Sequence, residues 1–169
     1  MLLGLLLLTC AGDKQPVASP VERRSEAISF AFGTTDGGEF SSRGTRGRAT
    51  LVLFVTTYDL PSQLQARRLD DLLRRFRPRA NAGAVVLEAP KYAVFADAFR
   101  STLSLSYPVA IADDDTRERH GPFGRVDRVP TLVILDRDGR EVWRKSGVVS
   151  TKEIETELTR ASDRASFLP

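Results

Sequence analysis

Asp59 and Ser62 stand three positions apart in Thr56-Thr57-Tyr58-Asp59-Leu60-Pro61-Ser62, between a continuous apolar run and an amphipathic one. An aspartate at such a junction is a helix N-cap. Its carboxylate accepts from the free amides of the first turn, worth roughly 1 kcal/mol, and a proline suits the first helical positions. Ser62 offers a hydroxyl nucleophile, but a serine attacks only with a partnered base, and the one imidazole, His120, lies in a different segment beside Gly121. His120 reads as a capping or solvent-facing residue. Cys10 is the only cysteine, so no disulfide can close within the chain. One histidine and no thiol beyond residue 10 offer no nitrogen and sulfur set for zinc, and neither a metal nor another cofactor is expected.

The elements that must hold these residues begin after a leader. Met1 to Thr9 is almost purely apolar (Leu2, Leu3, Leu5 to Leu8), far short of the roughly 20 residues that span a bilayer, and reads as the apolar core of a signal peptide. Leu7-Leu8-Thr9-Cys10 resembles the lipobox of bacterial lipoproteins, in which the cysteine receives lipid and becomes the mature N-terminus. An ordinary cleaved signal, with no role for Cys10, is the alternative. Residues 11–27, with Gly12, Asp13, Lys14, Gln15, Pro16, Ser19 and Pro20, have linker composition. Such a tether reaches on the order of 20 Å. These readings place residues 28–163 as one folded domain on the extracytoplasmic, periplasmic side, lipid-anchored to a bacterial membrane, with a tail at 164–169.

The 169 residues suit one domain with a proper core, and 41% apolar with 28% charged residues is ordinary globular composition. The net charge of +3 is modest. Arg67, Arg68, Asp70, Asp71, Arg74 and Arg75 interleave signs as a solvated helix face does. No aromatic residues alternate with a basic stripe, so a nucleic-acid partner is not expected.

Ile28 to Phe32 alternates as a half-buried strand, and Asp36-Gly37-Gly38 turns into Glu39-Phe40, an opening hairpin. Ala49 to Thr56 is a β-branched apolar run, the mark of a strand covered on both faces. Leu69, Leu72, Leu73 and Phe76 give a helix from Leu60 to Phe76 that Pro78 helps end. Ala84 to Leu87 is a second buried strand. Tyr92 to Leu103 reads as a helix with Val94, Phe95, Ala98 and Phe99 on its apolar face. Pro108 to Ile111 is a short extended piece, with a polar stretch after it through Arg119. Thr131 to Leu135 is a core strand, turned by Asp136-Arg137-Asp138-Gly139 into an antiparallel return over Arg140 to Lys145. Ser150 with Glu153 forms a capping box for a last helix through Ile154 and Leu158.

At three places this order resembles the extracytoplasmic thioredoxin-like proteins of the TlpA and ResA kind, and the wider redoxin group that includes the peroxiredoxins. Phe40 to Thr57 is similar to the family's passage from a hairpin through a basic loop into the central strand. Leu53 to Ser62 lies where the family has an aromatic-Cys-X-Pro-Cys segment opening a helix. Arg128-Val129-Pro130-Thr131 through Gly139 is similar to its cis-proline strand and turn. The resemblance covers nearly the whole domain, from about Ile28 to Ala161. It implies an α/β fold, a three-layer α/β/α sandwich with a mixed central sheet and an N-terminal β-hairpin.

The resemblance also implies thiol-disulfide chemistry, and the residues deny it. Asp59 and Ser62 occupy the positions of the two cysteines, and Thr56 that of the threonine ahead of a peroxiredoxin's reactive cysteine. A carboxylate cannot attack a disulfide and be regenerated by exchange. No enzymatic turnover is therefore expected of the chain alone. What the resemblance leaves is a groove at Tyr58, Asp59, Leu60, Pro61, Ser62, Val129, Pro130 and Thr131, where the backbone beside the proline pairs with an extended segment of a peptide or protein partner. Two alternatives stand beside it: a redox or peroxidase role that uses a partner's thiol, and a structural subunit whose groove is filled.

Overall fold

Alternating apolar and turn residues along the chain build two sheets and five α-helices in a computed structural model that describes residues 26–163. Cys10, the leader, the linker through residue 25 and the tail at 164–169 lie outside the described residues. The order is β1 (Ala31–Gly33), β2 (Glu39–Ser41), α1 (Ser42–Thr45), β3 (Thr50–Val55), α2 (Leu60–Arg75), β4 (Asn81–Val86), a 3-10 turn (Pro90–Tyr92) and α3 (Ala93–Thr102). There follow β5 (Val109–Ile111), α4 (Asp114–Arg117), β6 (Thr131–Leu135), β7 (Glu141–Ser146) and α5 (Thr151–Asp163).

The central sheet runs β5-β4-β3-β6-β7, with β3, β4 and β5 parallel and β6 and β7 antiparallel to their neighbours. This is the mixed sheet expected of a thioredoxin-like fold, and β3 lies at its centre with every residue buried. Leu51, Leu53 and Val55 pack on one face with Ala66, Leu69 and Leu72 of α2, Phe99 of α3 and Ile154 and Leu158 of α5. Val52 and Phe54 face the other way, onto Phe30, Phe32, Phe40 and Phe123. The two outer layers are unequal. Three long helices cover the first face, while the β1–β2 hairpin, the single turn of α4 and the loop carrying Phe123 cover the second. The hairpin needs Gly83 of β4 to lie flat, because a Cβ there would come within 2.6 Å of the Phe40 ring.

Several boundaries differ from the sequence reading. The hairpin's first strand is β1, later than Ile28, because Ile28 is held by the carbonyl of Gly139 and Ala27 already bridges to Arg140. β4 starts at Asn81 rather than Ala84. Asn81, Ala82 and Gly83 carry no β-branched signal, and their pairing with Thr50 to Val52 makes them a strand. In α3 the buried residues are Ala96 and Phe99, while Val94 and Phe95 are 68% and 55% exposed. The Val94, Phe95, Ala98, Phe99 face is thus corrected: the helix is rotated so that only Phe99 of that set reaches the core. The capping box is half formed. Glu153 donates its amide to Ser150 Oγ (3.3 Å) and spends its carboxylate on Lys145 Nζ (2.6 Å).

Candidate functional site

β3 delivers the chain to the middle of the sheet's edge, and Thr56 to Asp59 turn it straight into α2. Asp59 is the N-cap, its extended backbone (φ −99°, ψ 139°) letting Oδ1 accept from the Ser62 amide at 2.7 Å. The Thr56 hydroxyl donates to Oδ2. Burial works against charge on Asp59, but the hydrogen bonds from Thr56 and from the side chain and amide of Ser62 outweigh it. They hold the carboxyl below the ordinary carboxylate range. Ser62 is fully buried, with Oγ accepting from the Thr56 amide (3.3 Å). Its hydroxyl supports the turn from inside and does not line a groove. His120 is exposed beyond α4 and makes no hydrogen bond to Ser62 among the described residues, so no imidazole serves that hydroxyl.

The antiparallel register sets Thr131 opposite Phe54 and so brings the residues ahead of β6 beside the Thr56 to Asp59 turn. The Val129-Pro130 peptide is cis, as the resemblance implied. Pro130 is buried and its carbonyl accepts from Gly147 (2.7 Å). Thr131 is buried too. Its hydroxyl donates to the Arg128 carbonyl (2.6 Å) and shares a hydrogen bond with Ser146 (2.8 Å). Among the described residues, neither the N–H nor the C=O of the half-buried Val129 has a hydrogen-bond partner. The expected residues therefore divide. Tyr58, Leu60 and Pro61 are exposed, Asp59 and Val129 are half-buried, and Ser62, Pro130 and Thr131 are buried.

Sequence reasoning missed the wall beside them. Tyr58, Glu88, Tyr92, Phe95, Phe99 and Leu103 line a cavity of about 580 Å³ between the start of α2 and α3. Glu88 Oε1 accepts from the Thr57 amide (2.9 Å) and hydroxyl, while Oε2 is buried without a hydrogen-bond partner among the described residues. Tyr58 and Leu60 are 77% and 76% exposed, and the Tyr92 and Phe95 rings stack at 6.1 Å. The only available signal was the excess of apolar residues in Tyr92-Ala-Val-Phe over what one core-facing stripe needs.

These features, a central strand feeding a capped helix beside a cis-proline, define a thioredoxin-like fold, and solved structures agree. A thiol:disulfide interchange protein of the thioredoxin family from Chlorobium tepidum is similar at 22% identity, with 80% of this chain and 94% of that one covered and a TM-score of 0.64. A secreted Mycobacterium tuberculosis disulfide oxidoreductase homologous to E. coli DsbE is similar at 17% identity, covering 79% and 96%, with a TM-score of 0.64. StoA from Bacillus subtilis is similar at 18% identity, covering 79% and 98%, with a TM-score of 0.61. No family model and no curated protein matches the sequence. Among the described residues, no helix is long and apolar enough to cross a membrane.

Proposed function

We propose that this chain is a thioredoxin-fold binding module with no disulfide chemistry of its own, which receives an extended segment of a peptide or protein partner beside Pro130. Its only sulfur atoms belong to Met1 and Cys10, both ahead of the folded domain. Electron exchange between sulfurs needs a thiolate at the helix mouth, and Asp59 fills that place with a carboxylate committed to Thr56 and Ser62.

The observation that carries the binding reading is the unpaired backbone of Val129. A free N–H and C=O on one residue at a half-open edge can accept a strand by main-chain hydrogen bonding, and the exposed Tyr58, Leu60 and Pro61 supply apolar contacts for its side chains. A groove filled by the domain's own side chains would bury Val129, which stays half-buried. The extracytoplasmic setting rests on the leader and on the likeness to a secreted disulfide oxidoreductase. Tethering through lipid on Cys10 is part of the same proposal.

Panning a phage-displayed random peptide library on the intact protein tests it. Enriched sequences, made as synthetic peptides, should shift the Val129 amide resonance and lose affinity for Leu60→Asp. Failure to enrich any sequence over that variant, or shifts confined to surfaces away from Val129, would overturn the binding reading. Reduction of insulin by the native protein would overturn the claim that it lacks redox chemistry.

A further inference from the structure

Three loops meet at the amino-terminal ends of β3 and β4: residues 43–48, residues 77–81 and the turn from 136 to 140. They are tied to one another. The Gly47 amide donates to the Arg137 carbonyl (3.0 Å), the Asn81 side-chain amide to the Thr45 carbonyl (2.8 Å) and the Asn81 backbone amide to the Ala49 carbonyl (2.9 Å). From these loops project Arg43, Arg46, Arg48, Arg77, Arg79 and Arg137, every one exposed. Among the described residues none of the six forms a salt bridge. The carboxylates nearby do little to offset them. Asp138 pairs with Arg140 (2.6 Å), Asp136 is buried and accepts from the amides of Asp138 and Arg140, and Glu39 stands on the wall of the cleft beside Arg77 and Arg79. Sequence spacing hid this concentration, because the arginines come from three segments separated by whole strands and helices.

The described chain enters at this same end. Ala27 bridges to Arg140, and the Ile28 amide donates to the Gly139 carbonyl (2.9 Å). Upstream of Ala27 the sequence holds a leucine-rich run, Cys10 and a polar spacer. We propose that the arginine face rests on the surface of a bilayer containing anionic phospholipid, next to the point where the N-terminal segment enters the domain. Guanidinium groups recognise phosphodiester oxygens by paired, charge-assisted hydrogen bonds. A cationic residue at an anionic bilayer surface contributes roughly fivefold to partitioning, so a cluster of them adds a membrane signal of its own beside any lipid on Cys10. The geometry then leaves Asp59 and Val129 at the other end of β3, about 20 Å from the membrane and open to a partner. The face stands apart from the peptide reading, since none of its arginines touches the groove.

Flotation of the full chain with vesicles tests the assignment, using Cys10→Ser to remove any acyl group. The protein should bind vesicles containing phosphatidylglycerol in preference to phosphatidylcholine alone at low salt. That preference should vanish near ~1 M salt, where screening acts within about 3 Å. Arg46→Gln/Arg48→Gln/Arg137→Gln should cut the anionic preference roughly a hundredfold, at fivefold per residue. Arg137→Gln alone should cost about fivefold, while Arg128→Gln, at the far end, should leave the preference unchanged. The single pair decides the matter if the triple variant fails to fold. Equal partitioning into both vesicles, equal loss for Arg137→Gln and Arg128→Gln, or tighter binding of duplex DNA than of phosphatidylglycerol vesicles at the same salt would each overturn the proposal.

Discussion

The two ends of the central sheet are built on opposite principles. At the carboxyl ends of β3 and β4 the surface is apolar, with Tyr58, Leu60 and Phe95 exposed around two half-buried carboxylates, Asp59 and Glu88. The amino ends carry six arginines without a salt bridge among the described residues, on loops stitched together by backbone hydrogen bonds. Parallel strands with helical crossovers gather the loops after the strands at one edge, where ligands bind in open α/β sheets, and the loops before the strands at the other. In this protein the ligand edge has the shape of the thioredoxin-like fold and carries no sulfur. The opposite edge has acquired a charge pattern that the fold does not require.

The largest effect expected at the apolar end is a gain of function. Asp59→Cys with Ser62→Cys should turn undetectable insulin reduction into measurable turnover, with the nucleophile at a helix N-terminus that stabilises thiolate. With Ser62 left in place no resolving thiol is present, so Asp59→Cys alone should form mixed disulfides that persist. A double variant as inert as the native protein would break the likeness between this end and a redox site.

Next in size is a loss at the other end. Asp136→Ala removes the acceptor for the amides of Asp138 and Arg140 inside a buried turn. Thermal and urea unfolding should show destabilisation of about 1–3 kcal/mol. Peptide binding at Val129 should not change.

A smaller loss is expected from Asp59→Ala, about 1 kcal/mol for the N-cap. Its pH dependence follows from the lowered carboxyl. The folded state holds fewer protons than the unfolded chain around pH 4, so stability is present above the unfolded value near ~3.9 and is lost as pH falls through the lower folded one. Urea melts at pH 7 and pH 3 should show the difference between native protein and variant shrinking in acid. Asp70 follows the same sign: burial opposes its charge, while Ser106 and Arg74 more than offset that and keep the carboxyl low.

Smallest of all is the stability change for Tyr58→Ala, within about 0.5 kcal/mol because the side chain is exposed. Its effect should appear in partner affinity alone. A large stability loss would mean that the ring packs as structure, and the two ends would then differ less than their surfaces suggest.

Local pattern was enough for much of this. The β-branched run of β3, the Asp59 cap with Pro61, the Asp136 to Gly139 turn and the return strand β7 depend on neighbours a few residues away, and each was legible in order and spacing. The absence of sulfur from the domain is a fact of composition that no folding can alter. Tertiary structure alone decided which way Ser62 points, which face of α3 is buried, that Glu88 reaches Thr57 across 31 residues, and that arginines from three distant segments share one end. Those outcomes depend on sheet order, and sheet order is fixed by how whole elements cover the two faces of β3, a competition among long-range contacts that periodicity in one segment does not record.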